Sequence, residues 1–435
     1  MASTAHDPAP HPFRIADFRF YWVARLASTI GSMAMVIVIG WQVYDIARQT
    51  MDVKSAALQL GLIGVVQFVP LFALTLLTGW IADRLDRRFI ARASIALETA
   101  CAAALAWFAY TGTTTLLALF VVAALLGVAR AFAAPALSAL APNLVPREVL
   151  PRAIALSSIA WQSGSIAGPA VGGYLYAWEP HLPYAVSAGL FLLSLLCMFL
   201  IAPKPRAAIE GSKNPWRQMV DGLRHVRGNR LVLGAISLDL FAVLLGGATA
   251  MLPVFARDVL HAGPEGLGHL RAAPAVGATL MALWFSFRPL KRNVGVRMLV
   301  AVAVFGAATI VFGLSRWMPL SLFCLFLLGA ADMLSVYVRQ SLIQLYTPDA
   351  MRGRVGAVST LFISASNELG EAESGFLAAL IGPVAAVIGG GVGAILVTLL
   401  WARWFPELRR ARSFDPPTEA RSADDERAVQ QVGPG

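Results

Sequence analysis

The sequence predicts an all-α integral membrane protein with 12 transmembrane helices in two pseudo-symmetric six-helix bundles. Three observations predict this fold: the composition, the length of the apolar segments and a similarity between the two halves of the chain. Of the 435 residues, 57% are hydrophobic and 14% are charged, whereas soluble globular proteins carry about 25% charged residues. The mean hydropathy is +0.67. A soluble enzyme, a disulfide-bonded extracellular protein and a disordered chain are therefore excluded, because a water-soluble fold cannot bury so much apolar surface.

Twelve apolar segments follow one another along the chain. Roughly 20 helical residues, at 1.5 Å each, cross the hydrocarbon of a bilayer. These segments are continuous and long, which favours helices over the short alternating strands of a membrane barrel. They comprise residues 19–45, 56–82, 89–110, 114–141, 152–176, 182–202, 231–256, 267–288, 295–314, 318–340, 355–379 and 384–404.

The basic residues predict the orientation of the protein in the membrane. The net charge is +10, but the Lys and Arg residues lie in short loops between apolar segments, a pattern that argues against a nucleic-acid partner. Counted over alternate loops, 28 of them lie on the side of both termini and 4 on the other side. The positive-inside rule then predicts that both termini are cytoplasmic.

The longest internal loop, residues 203–230, divides the chain into two sets of six helices. We expect an N-terminal bundle over residues 1–202, a cytoplasmic linker over 203–230 and a C-terminal bundle over 231–405. Within the linker, Trp216 to Val226 has apolar residues at helical spacing and predicts an amphipathic helix at the membrane surface, although a plain linker is the alternative. Residues 406–435 are rich in Pro and charged residues and predict a disordered cytoplasmic tail.

The two halves resemble each other at an offset of 202 residues. Such a parallel repeat is typical of transporters whose substrate site lies between the repeats, near the middle of the membrane. The matched residues include Gly127 with Gly329, Pro146 with Pro348, Arg152 with Arg354, Gly168 with Gly370 and Gly173 with Gly375.

The loop after the second apolar segment carries a ten-residue motif, Gly79 to Arg88. A glycine here lets a neighbouring helix approach closely, and a carboxylate at a helix end can cap another helix. The motif resembles the signature of the major facilitator superfamily, which implies a cytoplasmic latch between the two halves, whereas a plain basic loop is the alternative. Asp86 stands where the signature has its second glycine, so a tight turn is not expected there. The latch residues are Gly79, Asp83, Arg84, Arg87 and Arg88.

The fifth apolar segment carries glycines at four-residue spacing. They leave one smooth face against which another helix can pack, and a proline among them can kink the helix. The pattern resembles the exporter-associated motif of the same superfamily, which implies antiport and export, although a helix-packing face alone would look the same. The motif residues are Gly164, Gly168, Pro169, Gly172 and Gly173.

The eleventh apolar segment contains three acids within six residues. Ionisable groups inside a membrane each cost roughly 2.5–3.5 kcal/mol or more and are functional candidates by default. Glu368 and Glu371 are three residues apart and share a helix face, whereas Glu373 points away from them. A carboxyl group that gains and loses a proton between conformations provides proton coupling. A structural hydrogen-bond network is the alternative.

Further polar residues lie inside the apolar segments. Asp239 and Glu98 are additional candidates for proton coupling, with structural ion pairs as the alternative. Arg130 and Asp332 occupy equivalent positions in the two repeats and carry opposite charges, so we expect them to contribute to a cytoplasmic gate. The remaining candidates for the cavity or gate are Arg25, Gln42 and Asn367.

The resemblance to the major facilitator superfamily covers residues 14–405. Within it, segments such as Gly40–Tyr44 and Thr347–Val355 resemble the branch of bacterial efflux proteins that includes the enterobactin exporter. This resemblance implies a monomeric, proton-coupled antiporter of the bacterial inner membrane that exports small amphipathic molecules such as siderophores or drugs. The alternatives are an importer of a small metabolite or lysophospholipid, and a membrane sensor that transports nothing.

Energy from bound ATP and enzymatic chemistry are not expected. The sequence has no phosphate-binding loop of the G-x-x-x-x-G-K-[ST] type and no H-E-x-x-H motif. The three cysteines lie inside apolar segments, without the spacing of a metal site or a disulfide. We therefore expect no cofactor and no metal, and a small-molecule substrate with protons and the lipid bilayer as partners.

Overall fold

The computed structural model describes residues 11–84, 86–146, 149–202, 215–288, 290 and 292–414. For residues 75–84, 87, 134–135, 138–139, 141–143, 151, 215–218, 349–350 and 364 it describes the backbone alone. The first half of the chain forms helices α1 (Ala16–Ala47), α2 (Val53–Arg84), α3 (Arg87–Tyr110), α4 (Leu116–Leu144), α5 (Leu150–Trp178) and α6 (Leu182–Leu200). The second half forms α7 (Pro215–Gly228), α8 (Arg230–Leu245), α9 (Leu252–Val254), α10 (Gly263–Phe287), α11 (Val294–Leu314), α12 (Met318–Leu345), α13 (Asp349–Ile381), α14 (Pro383–Trp404) and α15 (Pro406–Arg410).

The predicted all-α membrane fold is confirmed. Ten helical segments in the described ranges are long and apolar enough to cross a membrane. The two other predicted spans, α5 and α13, are helices of 29 and 33 residues that contain the glycine motif and the acidic cluster. They are not among the ten, so the count of 12 spans remains a prediction.

The seventh predicted span is not one continuous helix, which corrects the expectation for residues 231–256. Helix α8 ends at Leu245, and a 3-10 turn (Ala248–Met251), the single turn α9 and a π-helical turn (Phe255–Val259) follow. Gly246 and Gly247 lie at the break, where a Cβ atom on Gly246 would lie 2.7 Å from the Ala242 carbonyl oxygen. Pro253 follows, and it has no backbone N–H to continue a helical ladder.

Two extensive helix–helix interfaces join the halves in the described part of the chain. Within the first half, α1 packs against α5 and α6, and α4 packs against α2 and α3. Within the second half, α12 packs against α10 and α11, and α8 packs against α13 and α14. Between the halves, α2 packs against α13 and α5 packs against α10. The surfaces that meet at the centre of the molecule therefore belong to these four helices and their neighbours.

Glycines matched by the 202-residue offset occupy equivalent positions in these interfaces. Gly173 of α5 approaches Gly268 of α10 so closely that an added Cβ atom would lie 3.0 Å from the Cα atom of Gly268. Its counterpart Gly375 of α13 meets Gly61 of α2, where a Cβ atom on Gly61 would lie 2.8 Å from the Gly375 Cα atom. The repeat seen in the sequence therefore corresponds to two similar contacts between the halves.

The linker helix and the start of the tail both pack against the second half. Helix α7 is the predicted amphipathic helix, and Asp221 pairs with Arg354 of α13 at 3.3 Å. Residues 406–414 are ordered, contrary to the predicted disorder of the whole tail, because α15 buries Leu408 and the Arg412 carbonyl accepts a 2.6 Å bond from the Asn293 N–H. The remainder of the tail, residues 415–435, lies outside the described residues.

Candidate functional site

A small cavity lies at the centre of the molecule, between the two halves. Its volume is about 90 Å³, and its wall contains residues from α1, α2 and α4 of the first half and from α10, α13 and the broken span of the second. The polar residues of this central cavity are Gln67, Arg130, Thr249, Arg271, Glu368 and Glu371.

Arg130 links the two halves across this cavity. Its Nη1 atom donates a 3.1 Å hydrogen bond to the side-chain oxygen of Gln67 on α2 and lies 3.9 Å from the Glu368 carboxylate on α13. Gly127, one turn before Arg130, allows this contact, because a Cβ atom there would lie 2.7 Å from the Gln67 carbonyl oxygen. The close packing of α4 on α2 therefore brings the guanidinium to the interface.

A second arginine–glutamate pair lies within the second half. Arg271 of α10 places its Nη2 atom 3.7 Å from the carboxylate of Glu371, and its Nη1 atom donates a 3.3 Å bond to the Thr249 carbonyl. That carbonyl belongs to the 3-10 turn that follows Gly247. The break in the seventh span thus provides an acceptor at the cavity, as unwound segments do in other transporters.

The charges of the cavity balance only when both glutamates are ionised. Two carboxylates face two guanidinium groups, and both ion pairs, at 3.7 and 3.9 Å, are longer than a charge-assisted hydrogen bond of about 2.7–2.9 Å. Such loose pairs leave carboxylate oxygens free to accept a proton, and protonation would remove the attraction between Glu368 and Arg130. The arrangement can therefore link proton binding to the contact between the halves.

The cavity is smaller than a siderophore or a drug. At about 30 Å³ per water molecule, a volume near 90 Å³ holds about three waters, whereas pockets for drug-sized ligands measure about 300–1,000 Å³. A substrate of that size requires the two halves to move apart.

Two further ion pairs join the halves at the end of the bundle predicted to be external. Arg257 pairs with Asp45 at 2.5 Å, and Asp258 accepts hydrogen bonds from the Tyr44 hydroxyl and, at 3.4 Å, from the Arg48 Nε atom. The first-half residues lie at the end of α1 and the second-half residues on the π-helical turn. We call this set the outer ion pairs. They join the two halves at this end of the molecule.

Three glycines of the α5 motif pack against α1. A Cβ atom on Gly164, Gly168 or Gly172 would lie between 2.6 and 3.0 Å from atoms of the α1 segment 29–34. Pro169 lies inside α5, and its carbonyl oxygen is within 3.0 Å of a Cβ atom built on Gly268. The smooth packing face predicted from the sequence is therefore present, and the fourth glycine, Gly173, faces the other half.

Most of the predicted latch lies beyond the described side chains. The backbone of Gly79, Asp83 and Arg84 belongs to α2. The side chains of Asp83, Arg84 and Arg87 lie outside the part of the chain that the structure describes. Asp86 adopts φ −65° and caps α3 by accepting a 2.9 Å hydrogen bond from the Arg88 N–H. This backbone conformation does not require glycine. The Arg88 guanidinium also hydrogen bonds to Asp86 and holds the pKa of that carboxyl below its usual value.

Arg130 and Asp332 do not meet, which corrects the predicted gate pair. Arg130 faces Glu368, whereas Asp332 lines a different cavity inside the second half, together with Asp239 and Ser335. Asp239 is ion-paired with Arg339, and both side chains are almost fully buried. Arg130 and Asp332, although equivalent in the two repeats, therefore do not face each other.

Several other predicted residues lie away from the central cavity. Gln42 is buried and accepts a 2.6 Å hydrogen bond from Tyr184, so it packs inside the first half instead of lining the cavity. Asn367 is exposed on α13, on a different face from Glu368, and is not part of the cavity wall either. Neither residue therefore lines the central cavity in this structure.

Three charged candidates are also absent from the cavity wall. Glu98 is buried in α3 and has neither an ion pair nor a hydrogen bond among the described residues. Arg25 and Glu373 each have one buried side-chain atom without a hydrogen-bond partner in the same part of the chain. Glu373 points away from the cavity, as its spacing from Glu368 and Glu371 predicted.

Gln67, Arg271 and the outer ion pairs were not predicted. Arg271 carried a signal, because it is one of few basic residues that fall within an apolar segment. Gln67 is one of two amides in the second apolar segment, with Gln59, and the outer residues look like ordinary loop charges. No feature of the sequence pairs them with partners on distant helices.

Comparison with known proteins identifies the family. The sequence profile described as transmembrane secretion effector matches residues 8–429. The chain belongs to this family of the major facilitator superfamily. It is therefore a multi-pass membrane transporter, not an enzyme.

The relatives of this family member include bacterial exporters. It is similar to the enterobactin exporter EntS of Shigella boydii serotype 18, with 28% identity over 413 residues that cover 93% of this chain and 95% of the relative. The enterobactin exporter EntS of Escherichia coli O1:K1 is also 28% identical, over 415 residues with the same coverage.

Solved structures share the fold. A bacterial homologue of the human lysosomal transporter Spinster, in an inward-facing and occupied conformation, has a TM-score of 0.72 and 14% identity and covers 92% of this chain and 99% of its own. A D-xylose–proton symporter has a TM-score of 0.68 and 15% identity and covers 90% and 98% of the two chains. At these identities, the similarity extends to the fold alone.

Proposed function

We propose that the protein is a proton-coupled exporter of small amphipathic organic molecules, such as siderophores or drugs, in the bacterial inner membrane. It works as a monomer by alternating access, with both termini in the cytoplasm, and exchanges the substrate for protons. The central cavity between the halves, with two carboxylates facing two guanidinium groups, is the observation that carries this proposal.

Protonation of Glu368 is the step that links proton movement to substrate movement. When the carboxylate is ionised, its attraction to Arg130 favours the approach of α4 and α13. When it is neutral, Arg130 keeps its bond to Gln67 but loses the contact with the other half. Glu371 and Arg271 act in the same way within the second half and position the 3-10 turn at Thr249.

The size of the cavity supports alternating access. The external end is closed by the outer ion pairs, and the volume between the halves is too small for an organic substrate. Loading and release therefore require the halves to rock about the α2–α13 and α5–α10 interfaces. Their glycine contacts allow close backbone approach at these pivots.

Two observations support export over import. The relatives that align with 93% of the chain are named enterobactin exporters. The α5 glycine motif is present along its full length, and three of its glycines pack against α1, which lines the cavity. The excess of basic residues on the side of the termini supports the proposed orientation.

Transport by inverted membrane vesicles tests this function. The purified probes are enterobactin and a fluorescent amphipathic organic cation, each offered outside vesicles whose interior is made acidic. We expect accumulation of at least one probe, collapsed by a protonophore and absent from vesicles without the protein. Accumulation in right-side-out vesicles alone would indicate an importer. Binding of a probe without accumulation in either orientation would indicate a sensor, and both results would contradict the proposal.

A further inference from the structure

Another cavity, larger than the central one, lies at the end of the second half that is predicted to be cytoplasmic. Its volume is about 840 Å³, large enough for a drug-sized ligand or a lipid headgroup with its glycerol. We call it the linker cavity, since it opens where α7 joins α8. Its polar wall residues are His225, Asn229, Arg230, Tyr346, Glu407 and Arg410.

The linker cavity lies at the level of lipid headgroups. Its wall is formed where membrane helices begin or end, because α8 begins at Arg230, α12 ends at Leu345 and α14 ends at Trp404. The Trp404 side chain is about half exposed, as is typical of aromatic residues at the membrane interface. The adjoining amphipathic helix α7 exposes the apolar residue Leu223 in the same region.

One arginine of the wall, Arg230, already has partners within the protein. Arg230 donates a 2.9 Å bond from Nε to the Oε1 atom of Glu407 and a 2.8 Å bond to the Trp404 carbonyl. Arg410, in contrast, is exposed and makes no ion pair or hydrogen bond with the described residues. The cavity therefore offers one unpaired guanidinium to a ligand.

Two other polar atoms of the wall residues lack partners. The Nε2 atom of His225 and the Oε2 atom of Glu407 are shielded from solvent and form no hydrogen bond within the described part of the chain. An unpaired buried polar group costs roughly 1–3 kcal/mol, more when it is charged. A ligand that draws these side chains toward the cavity must hydrogen bond to both of them. The His225 imidazole can donate or accept such a bond, whereas the Glu407 carboxylate can only accept one.

We propose that the linker cavity binds the headgroup of a zwitterionic aminophospholipid from the cytoplasmic leaflet. The phosphate bridges Arg410 and His225, and the primary ammonium donates to the Oε2 atom of Glu407. An anionic headgroup without an amine would leave the Oε2 atom of Glu407 without a donor. A quaternary choline headgroup has no N–H with which to satisfy that carboxylate.

Lipid retention by the full-length protein tests this site. The purified protein is offered equal amounts of phosphatidylethanolamine, phosphatidylcholine and phosphatidylglycerol with identical acyl chains, and bound lipid is counted by native mass spectrometry. We expect phosphatidylethanolamine to be retained preferentially. Arg410→Ala should weaken its retention about fivefold, the value of one basic residue near the headgroups. Arg409→Ala is the matched control, since Arg409 is exposed but does not line the cavity.

Glu407→Gln separates an amine site from a general anion site. The substitution removes the negative charge that attracts both the ammonium group and Arg230, so retention should shift from phosphatidylethanolamine towards phosphatidylglycerol. Melting of each variant in lipid-free detergent should match the parent protein, which excludes loss of folding as the cause.

Several results would overturn the proposal. These are equal retention of the three lipids, a preference for phosphatidylglycerol in the parent protein, and an equal effect of Arg409→Ala and Arg410→Ala. Stabilisation of the protein by inorganic phosphate alone, as large as that by phosphatidylethanolamine, would assign the cavity to a free anion instead.

Discussion

Arg130 of α4 and Glu368 of α13 lie 3.9 Å apart across the interface between the two halves of the molecule. Gln67 holds the guanidinium from the first half, and among the described residues Glu368 is its ion-pair partner in the second half. In the alternating access that we propose, this contact forms in one arrangement of the halves and is lost in the other. Its strength depends on whether the carboxylate carries a proton.

Charge reversal tests this pair. Arg130→Glu or Glu368→Arg places like charges across the interface and should lower proton-driven transport at least tenfold, about 1.4 kcal/mol. The double reversal should recover a large part of the activity in vesicle assays. Arg130→Glu combined with Asp332→Arg should recover none, because Asp332 lines a different cavity. Rescue by Asp332→Arg instead would contradict this assignment.

Loss of the outer ion pairs should open the external end. Asp45→Asn with Asp258→Asn removes both contacts, each worth roughly 0.2–1 kcal/mol at partly exposed sites. A cysteine at Leu60, on the cavity wall, should then react several-fold faster with an impermeant maleimide added outside. The three native cysteines are buried and would be replaced by alanine.

Asp52→Asn is the control for that experiment. Asp52 lies between α1 and α2, pairs with no cation in the described residues and accepts a 3.1 Å bond from the Ser55 N–H. Asparagine can make the same cap. Labelling at Leu60 should therefore not change, and an increase equal to that of the double variant would count against the outer ion pairs.

A methyl group at Gly61 should force α2 and α13 apart. Its carbon atom would lie 2.8 Å from the Gly375 Cα atom, and neither backbone can move independently of its helix. Overpacking of this kind typically costs about 1–3 kcal/mol. Gly61→Ala should lower both the melting temperature and the transport rate, whereas Gly189→Ala, with no atom within 4 Å of the added carbon, should change neither. Parent-like melting of Gly61→Ala would contradict the close approach.

The buried pair of Asp239 and Arg339 should matter for stability. Arg339→Met alone leaves a buried carboxylate without its partner, which costs roughly 3–5 kcal/mol. Replacing both residues, as Asp239→Leu with Arg339→Met, should recover most of the loss of thermal stability in detergent. A double variant less stable than the single one would show that the carboxylate has another essential partner.

The sequence predicted the helices better than their contacts. Apolar length determines where a membrane helix lies, so most predicted boundaries differ from the observed ones by a few residues. The break at Gly246 was missed because the surrounding residues are uniformly apolar and mask the change in backbone geometry. Helical spacing also separated Glu373 correctly from Glu368 and Glu371.

Partners across the molecule could not be predicted from spacing. The repeat correctly assigned Arg130 and Asp332 to equivalent helices, but equivalence under a repeat does not make two residues neighbours. Gln42 was a candidate for the cavity or gate because it is a polar residue inside an apolar segment. Tyr184 of α6 provides its hydrogen-bond partner, and only the packing of α1 against α6 reveals it.

Proton-driven transport by a Glu368→Gln, Glu371→Gln double variant tests the central claim most directly. The parent protein in proteoliposomes should accumulate its substrate against a gradient when a pH difference is imposed, and Glu179→Gln, an exposed loop variant, should do the same. The double variant should bind substrate and equilibrate it across the membrane, but should not concentrate it. If the double variant still concentrates substrate in response to the pH difference, the cavity carboxylates do not carry the coupling proton.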